Sequence, residues 1–195
     1  MKPSHFLRFF LILMCHQAFA IHFKGRTSQA INTSEDRIYV AAIWHYSDGR
    51  AHVAGEQVGE ITDGKFELEL PAMPPQEGVL SLHGADFSVA YIILFEDTNG
   101  DKRYDRKTDN IVGAAENHCF TYVNGDWNGA LDKIEQQKGR KTQLRKLSHG
   151  LQLARVIRYD DTEEFQFDGL ETIGSNELII IRVAPKEDLD FPNWT

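Results

Sequence analysis

The chain has 195 residues, 21 of them basic and 29 acidic, for a formal net charge of −8. So acidic a balance argues against nucleic acid, whose phosphates demand a basic face, and favours solubility and attraction of cations. Two cysteines do not make a disulfide scaffold, so the fold depends on its apolar core or on metal.

Residues 1–20, MKPSHFLRFFLILMCHQAFA, place Lys2 and Arg8 ahead of an apolar stretch from Phe9 to Cys15 and close on Ala18-Phe19-Ala20. This order is that of a secretory signal peptide, and its apolar stretch is far shorter than the roughly 20 residues of a spanning helix. The sequence therefore predicts an exported, non-transmembrane protein of the periplasm or extracellular space, with residues 21–195 as a single domain. Cleavage leaves 19 basic against 29 acidic residues, a charge of −10, with Cys119 as the sole cysteine. Lipid attachment through Cys15 is the minority reading, because Met14 stands where a lipobox needs a small residue.

Short β-type segments follow one another. Arg37–Tyr46 is rich in β-branched and aromatic residues, and Asp48-Gly49 turns it into Ala51–Ile61. Asp63-Gly64 then precedes Lys65–Leu70, where Phe66, Leu68 and Leu70 alternate with charge. Asp-Gly between such runs is a strong hairpin signal. Val79–Leu82, Val89–Phe95, Asn117–Asn124, Leu151–Arg158, Glu164–Phe167 and Glu177–Ala184 continue the series. Val89–Phe95 is apolar at nearly every position, as in a strand covered on both faces, whereas KFELEL has one wet face. Strands about ten residues apart point to a β-sandwich or barrel, and the expected fold is a single β-sandwich, immunoglobulin-like or transthyretin-like. Residues 128–147 depart from the pattern, with Leu131, Ile134, Leu144 and Leu147 at helical spacing. A short helical insertion is expected there, divided at Gly139 and capped by Asp126 or Asn128. Its Lys138, Arg140, Lys141, Arg145 and Lys146 form the one basic cluster, read as a solvated face, with contact to an anionic surface as the lesser alternative.

The segment FEDTNGDKRYDRKTDN, within loop 96–110, follows the apolar strand directly. Calcium takes six to eight oxygens, and a twelve-residue loop supplies them from alternate positions. Asp97, Asn99 and Asp101 occupy the first, third and fifth places, the Arg103 carbonyl the seventh and Asp105 the ninth. Thr108 stands where a helix–loop–helix site has a bidentate Glu, so Asp109 is the candidate to close the coordination sphere. The sixth place, where the turn needs φ > 0, holds Lys102 instead of Gly, at a cost on the order of 1 kcal/mol. Ca²⁺ is accordingly the expected cofactor, in a structural role.

YIILFEDTNGDKRYD, followed by DNIVGAAENHCFTYV, resembles a group of uncharacterised bacterial secreted and lipid-anchored proteins, and its loop is similar to those of dockerins and thrombospondin-type repeats. The resemblance covers about Arg37–Asn124. It implies a β-sandwich and a calcium role for Asp97, Asn99, Asp101 and Asp105, with no activity to carry over. The chain departs from that pattern at Lys102 and in lacking the usual lipid-attachment signal.

Other chemistry is sparse. His45 and His52 flank a hairpin turn, but no zinc-ligand spacing occurs. Adjacent strand residues such as His118 and Cys119 point to opposite faces and cannot form a nucleophile–base pair. No G-x-S-x-G, S-x-x-K or phosphate-binding glycine loop is present. Among Trp44, Tyr46, Trp127 and Trp194, the sequence NGDWNG marks Trp127 as the exposed aromatic. The expected protein is a non-catalytic binding or structural module with an envelope protein or glycan as partner. A carbohydrate-binding module using Trp127 is the alternative, and a hydrolase whose site is invisible in sequence is third.

Overall fold

The strand VAYIILF is apolar throughout because it separates two hydrophobic layers. The computed structural model describes residues 20–31, 37–45, 53–139, 141, 144, 147–159, 167–173 and 178–189. The expected signal peptide and Cys15 fall outside the described residues, as do the Asp48-Gly49 turn, Tyr46, His52, Glu164, Trp194 and the basic residues Arg140, Arg145 and Lys146.

Strands β1 (Ala20–Thr27), β2 (Ile38–His45), β3 (Val53–Thr62), β4 (Lys65–Pro71) and β5 (Leu80–Leu82) occupy the first half of the chain. Strands β6 (Ala85–Glu96) and β7 (Asn110–Gly125), helix α1 (Trp127–Lys138), then β8 (Gly150–Tyr159), β9 (Phe167–Thr172) and β10 (Ile179–Val183) complete it. Pairing runs β5-β6-β2-β3-β4-β1-β10-β7-β8-β9, and β6 also pairs with β7. That last ladder closes β6, β2, β3, β4, β1, β10 and β7 into a ring. The mainly β expectation therefore holds, but the arrangement is a closed barrel rather than the expected sandwich of two facing sheets.

Closure depends on contacts that are remote in sequence. β1 and β10 pair in parallel, Gly25 opposite Ile179, and β10 meets β7 at Arg182–Ala114 and Val183–Gly113. A Cβ on Gly113 would stand 2.7 Å from the Arg182 carbonyl oxygen, so glycine is needed where the last seam closes. β7 changes neighbours along its length, from β10 to β8. Between Tyr91–Cys119 and Ile93–Ala114 it carries three more residues than β6, a bulge that bends it out of the ring.

Even-numbered residues of β6, Ala90, Ile92 and Leu94, point into the barrel with Phe23, Trp44, Leu68 and Phe120. Odd-numbered Tyr91, Ile93 and Phe95 face outward into a second cluster with Trp127, Leu131, Ile134 and Tyr104. Lys65–Pro71 alternates exposed and buried as expected, and Asp63 (φ 51) and Gly64 (φ 69) make the two-residue turn before it. A second such turn, His83 (φ 50) and Gly84 (φ 93), joins β5 to β6, which starts four residues before the expected Val89.

The helical insertion is present as α1. The Asp126 side chain accepts from the Gly129 N–H at its start, and Gly139 in the left-handed conformation ends it. Beyond Gly139, Leu144 and Leu147 are buried, and the Leu147 N–H donates to the Leu144 carbonyl, a tighter i→i+3 bond.

Candidate metal centre

The acidic loop joins two long central strands, so its ends are fixed before its own chemistry begins. Glu96 and Asn110 pair at its base, and the Asp97 N–H donates to the Arg37 carbonyl at 2.8 Å. Asp109 fastens the loop across its width. One carboxylate oxygen accepts from the Thr98 N–H at 3.0 Å and the other from the Asp105 N–H at 2.7 Å. The Thr98 hydroxyl donates to the Thr108 carbonyl at 2.7 Å.

Inside these anchors the alternate oxygens curl the backbone. Asn99 accepts from the Asp101 N–H at 2.9 Å, Asp101 from the Arg103 N–H at 2.8 Å, and Asp105 from the Lys107 N–H at 2.8 Å. Each side chain thus takes the N–H two residues ahead, the mimic of a backbone turn that Asx residues favour. Asp97 spans the widest turn, with one oxygen on the Gly100 N–H at 2.6 Å and the other on the Lys102 N–H at 2.9 Å. Lys102 adopts φ 58, the left-handed backbone required at the sixth place. Gly100, at φ 82, lies where a Cβ would meet the Arg37 guanidinium.

Asp97 is covered, 2% exposed, by loop backbone lying close to the surface. Burial raises its carboxyl, but the N–H groups of Lys102, Gly100 and Asp101, together with Arg37, outweigh burial and hold it below the ordinary value. Replacing Asp97 by Asn puts an NH₂ against one of the two N–H donors. The loss of one charge-assisted hydrogen bond is expected to cost about 2 kcal/mol in urea unfolding. A cost under about 0.5 kcal/mol would show that Asp97 does not organise the turn.

The far side of the loop is docked on β2 and β3 by residues with no local signature in the sequence. Lys102 pairs with Glu60 at 3.0 Å and lies 5.7 Å above the Tyr39 ring centre. Both partners of that ion pair are exposed, so it adds little stability. Glu56 is better placed. It takes Arg103 Nε at 3.1 Å and the Tyr104 N–H at 2.8 Å, and its side chain is only 11% exposed. The Tyr104 ring packs edge-on against Phe95 at 5.6 Å, which joins the loop to the outer core. Glu56 and Glu60 come from β3 and Arg37 from just before β2, and they were not among the expected site residues. Alternation of carboxylates on one face of β3 is the only trace they leave.

Among the described residues, no three His, Cys, Asp or Glu side chains stand in ligating geometry. The loop carboxylates are turned onto N–H groups instead. Each carboxylate oxygen that accepts one N–H keeps a second lone pair, so the donor set Asp97, Asn99, Asp101, Asp105 remains chemically suited to a hard cation. Asp109 takes the part of a staple between the loop ends.

The other expected site residues fall differently. Trp127 is corrected: it is the first residue of α1, 3% exposed, stacked on Phe87 at 5.2 Å, with Nε1 donating to the Leu144 carbonyl at 3.0 Å. It offers no platform to a sugar. Trp44 is fully buried inside the barrel. Cys119 is buried too, and burial pushes its thiol up, away from reactivity. No protein-family model, curated protein or solved structure matches the chain.

Proposed function

We propose that this is an exported, non-catalytic binding or structural module of the periplasm or cell exterior whose loop 97–109 is stabilised by Ca²⁺. Asp97, Asn99, Asp101, Asp105 and the Arg103 carbonyl are the proposed oxygen donors, with Asp109 closing the loop behind them. The ion supplies positive charge among carboxylates that otherwise repel one another. The observation that carries the reading is the left-handed backbone of Lys102. A side chain bearing a Cβ is held in a conformation costing on the order of 1 kcal/mol, at the sixth place where an ion-wrapping loop turns. The buried Asp97 carboxylate at the first place reaches across to that same N–H. Left-handed residues also occur in the plain two-residue turns at Asp63 and His83, but such a turn needs no buried carboxylate reaching across the loop to that N–H.

The non-catalytic part of the proposal follows the chemistry at hand. The sequence offers no nucleophile motif, and Cys119 is sealed inside the outer cluster. Among the described residues, no helix is long and apolar enough to cross a membrane.

Thermal melting in calcium and in EDTA tests the proposal. At calcium tenfold above Kd, linkage adds about 1.4 kcal/mol, which is about 3 to 6 °C for a domain of this size. The increment should vanish in the double variant Asp97→Ala, Asp101→Ala, whatever its starting midpoint. A wild-type midpoint identical in calcium and EDTA ends the calcium reading.

A further inference from the structure

A groove of about 710 Å³ opens at the rim of the barrel beside the loop. Its walls are the loop, the start of β7, the end of β10 and the 3-10 turn Lys186–Asp188. The volume is within the range of small-ligand sites, about 300 to 1,000 Å³. Ile111, Val112, Val183, Ala184 and Pro185 give the lining its apolar part.

Two donors in the lining have no partner. Arg106 makes no hydrogen bond or ion pair among the described residues, although its charge is felt by both His45 and Tyr104. Tyr104 is 7% exposed, and its hydroxyl likewise has no hydrogen-bond partner among them. The hydroxyl itself keeps contact with solvent in the groove, so a ligand acceptor there would take the place of water. Asp109, also in the lining, accepts from the Thr98 and Asp105 N–H groups and makes no hydrogen bond or ion pair with either donor.

The acidic part of the lining comes from other elements. Glu96 ends β6 and takes the Asn110 amide on one oxygen at 3.2 Å, while Glu187 is exposed on the 3-10 turn. With three carboxylates to one guanidinium, the groove repels a dianion such as phosphate. A purely cationic ligand would leave Arg106 facing like charge. A ligand carrying both signs, joined by an apolar part, satisfies every group.

We propose that the groove binds short apolar peptides by their termini, the carboxylate on Arg106 and the Tyr104 hydroxyl, the ammonium toward Glu187 and Glu96. This rests on the binding-module reading above and names its ligand class; it does not require the metal ion, although the loop forms one wall.

Calorimetric titration with the tripeptide Ala-Leu-Ala, free, C-amidated and N-acetylated, tests it on wild type, Arg106→Gln and Tyr104→Phe. Neither substitution removes a hydrogen bond that the fold uses, so both variants should remain folded. The free peptide is expected to bind with a Kd below about 1 mM, and amidation or Arg106→Gln to weaken it about tenfold. The amidated peptide should bind Arg106→Gln no more weakly than it binds wild type, because the two changes delete one contact. Absence of binding to wild type, or equal binding of the free peptide by Arg106→Gln, overturns the proposal. Melting the same samples in calcium and EDTA separates the two readings. A retained calcium shift without peptide binding removes the ligand alone, whereas loss of both removes the module reading with it.

Discussion

Trp127→Ala should destabilise the protein by about 3 to 5 kcal/mol, a large part of the 5 to 15 kcal/mol typical of a domain. The indole is 3% exposed and nearly parallel to Phe87, at an interplanar angle of 11°. Its removal opens a cavity between α1 and β6, with Leu131 and Ile134 on one side and the outward residues of β6 on the other. It also removes one of two hydrogen bonds on the Leu144 carbonyl, which accepts from Nε1 at 3.0 Å and from the Leu147 N–H at 3.1 Å. Trp127→Phe keeps the ring stack and loses the hydrogen bond, so about 1 to 2 kcal/mol is expected. Urea unfolding followed by circular dichroism measures both. The experiment also decides between two roles for this side chain. A surface platform for sugar would tolerate Trp127→Ala with almost no loss of stability, and glycan binding would be what disappeared.

The contrast at Trp127 shows where sequence reasoning is weak. Composition around it, NGDWNG, is that of a loop, and the N-cap Asp126 was legible, yet burial of the next residue depends on Phe87 and Leu144, which are remote in sequence. The elements governed by local physics were legible. Both covered faces of Val89–Phe95, the alternation of KFELEL, the Asp63-Gly64 turn and the αL stop at Gly139 all follow from neighbouring residues. Strand β1 was missed because Gly25 interrupts its apolar alternation. That glycine is required by distance, a Cβ there lying 2.7 Å from the Ile179 carbonyl oxygen. Barrel closure was beyond reach for the same reason: the β1–β10 and β10–β7 seams join opposite ends of the chain, and no short window carries their signal. The expected strand Asn117–Asn124 covers only the second half of β7, since Glu116 and Asn117 interrupt the apolar run at the bulge. In the candidate site, spacing alone located Asp97, Asn99, Asp101, Asp105 and Asp109. The groups that dock the loop, Glu56 above all, belong to a different hairpin.

Acidification should weaken the protein through His45, and the effect should disappear in His45→Phe. The imidazole lies at the end of β2, 5.4 Å from the Tyr91 ring and edge-on to it. Burial lowers it from 6.5 to about 4, and Arg106 of the loop adds to the shift. In the native state it is therefore neutral over a range where the unfolded chain already binds a proton. The unfolded state holds the extra proton between about pH 6.5 and 4, so stability falls as pH drops through that window. Above pH 6.5 the contribution is complete; by pH 4 it is gone. At about 1.4 kcal/mol per pH unit the loss approaches 3 kcal/mol. Carboxylates titrate in both proteins, so the difference between wild type and His45→Phe isolates the histidine. Urea midpoints at pH 7, 5.5 and 4 should converge or cross as the pH falls, with the variant gaining relative to wild type. A constant difference across the series would mean that His45 takes up its proton at the same pH in the native and unfolded states, so that burial does not hold it neutral.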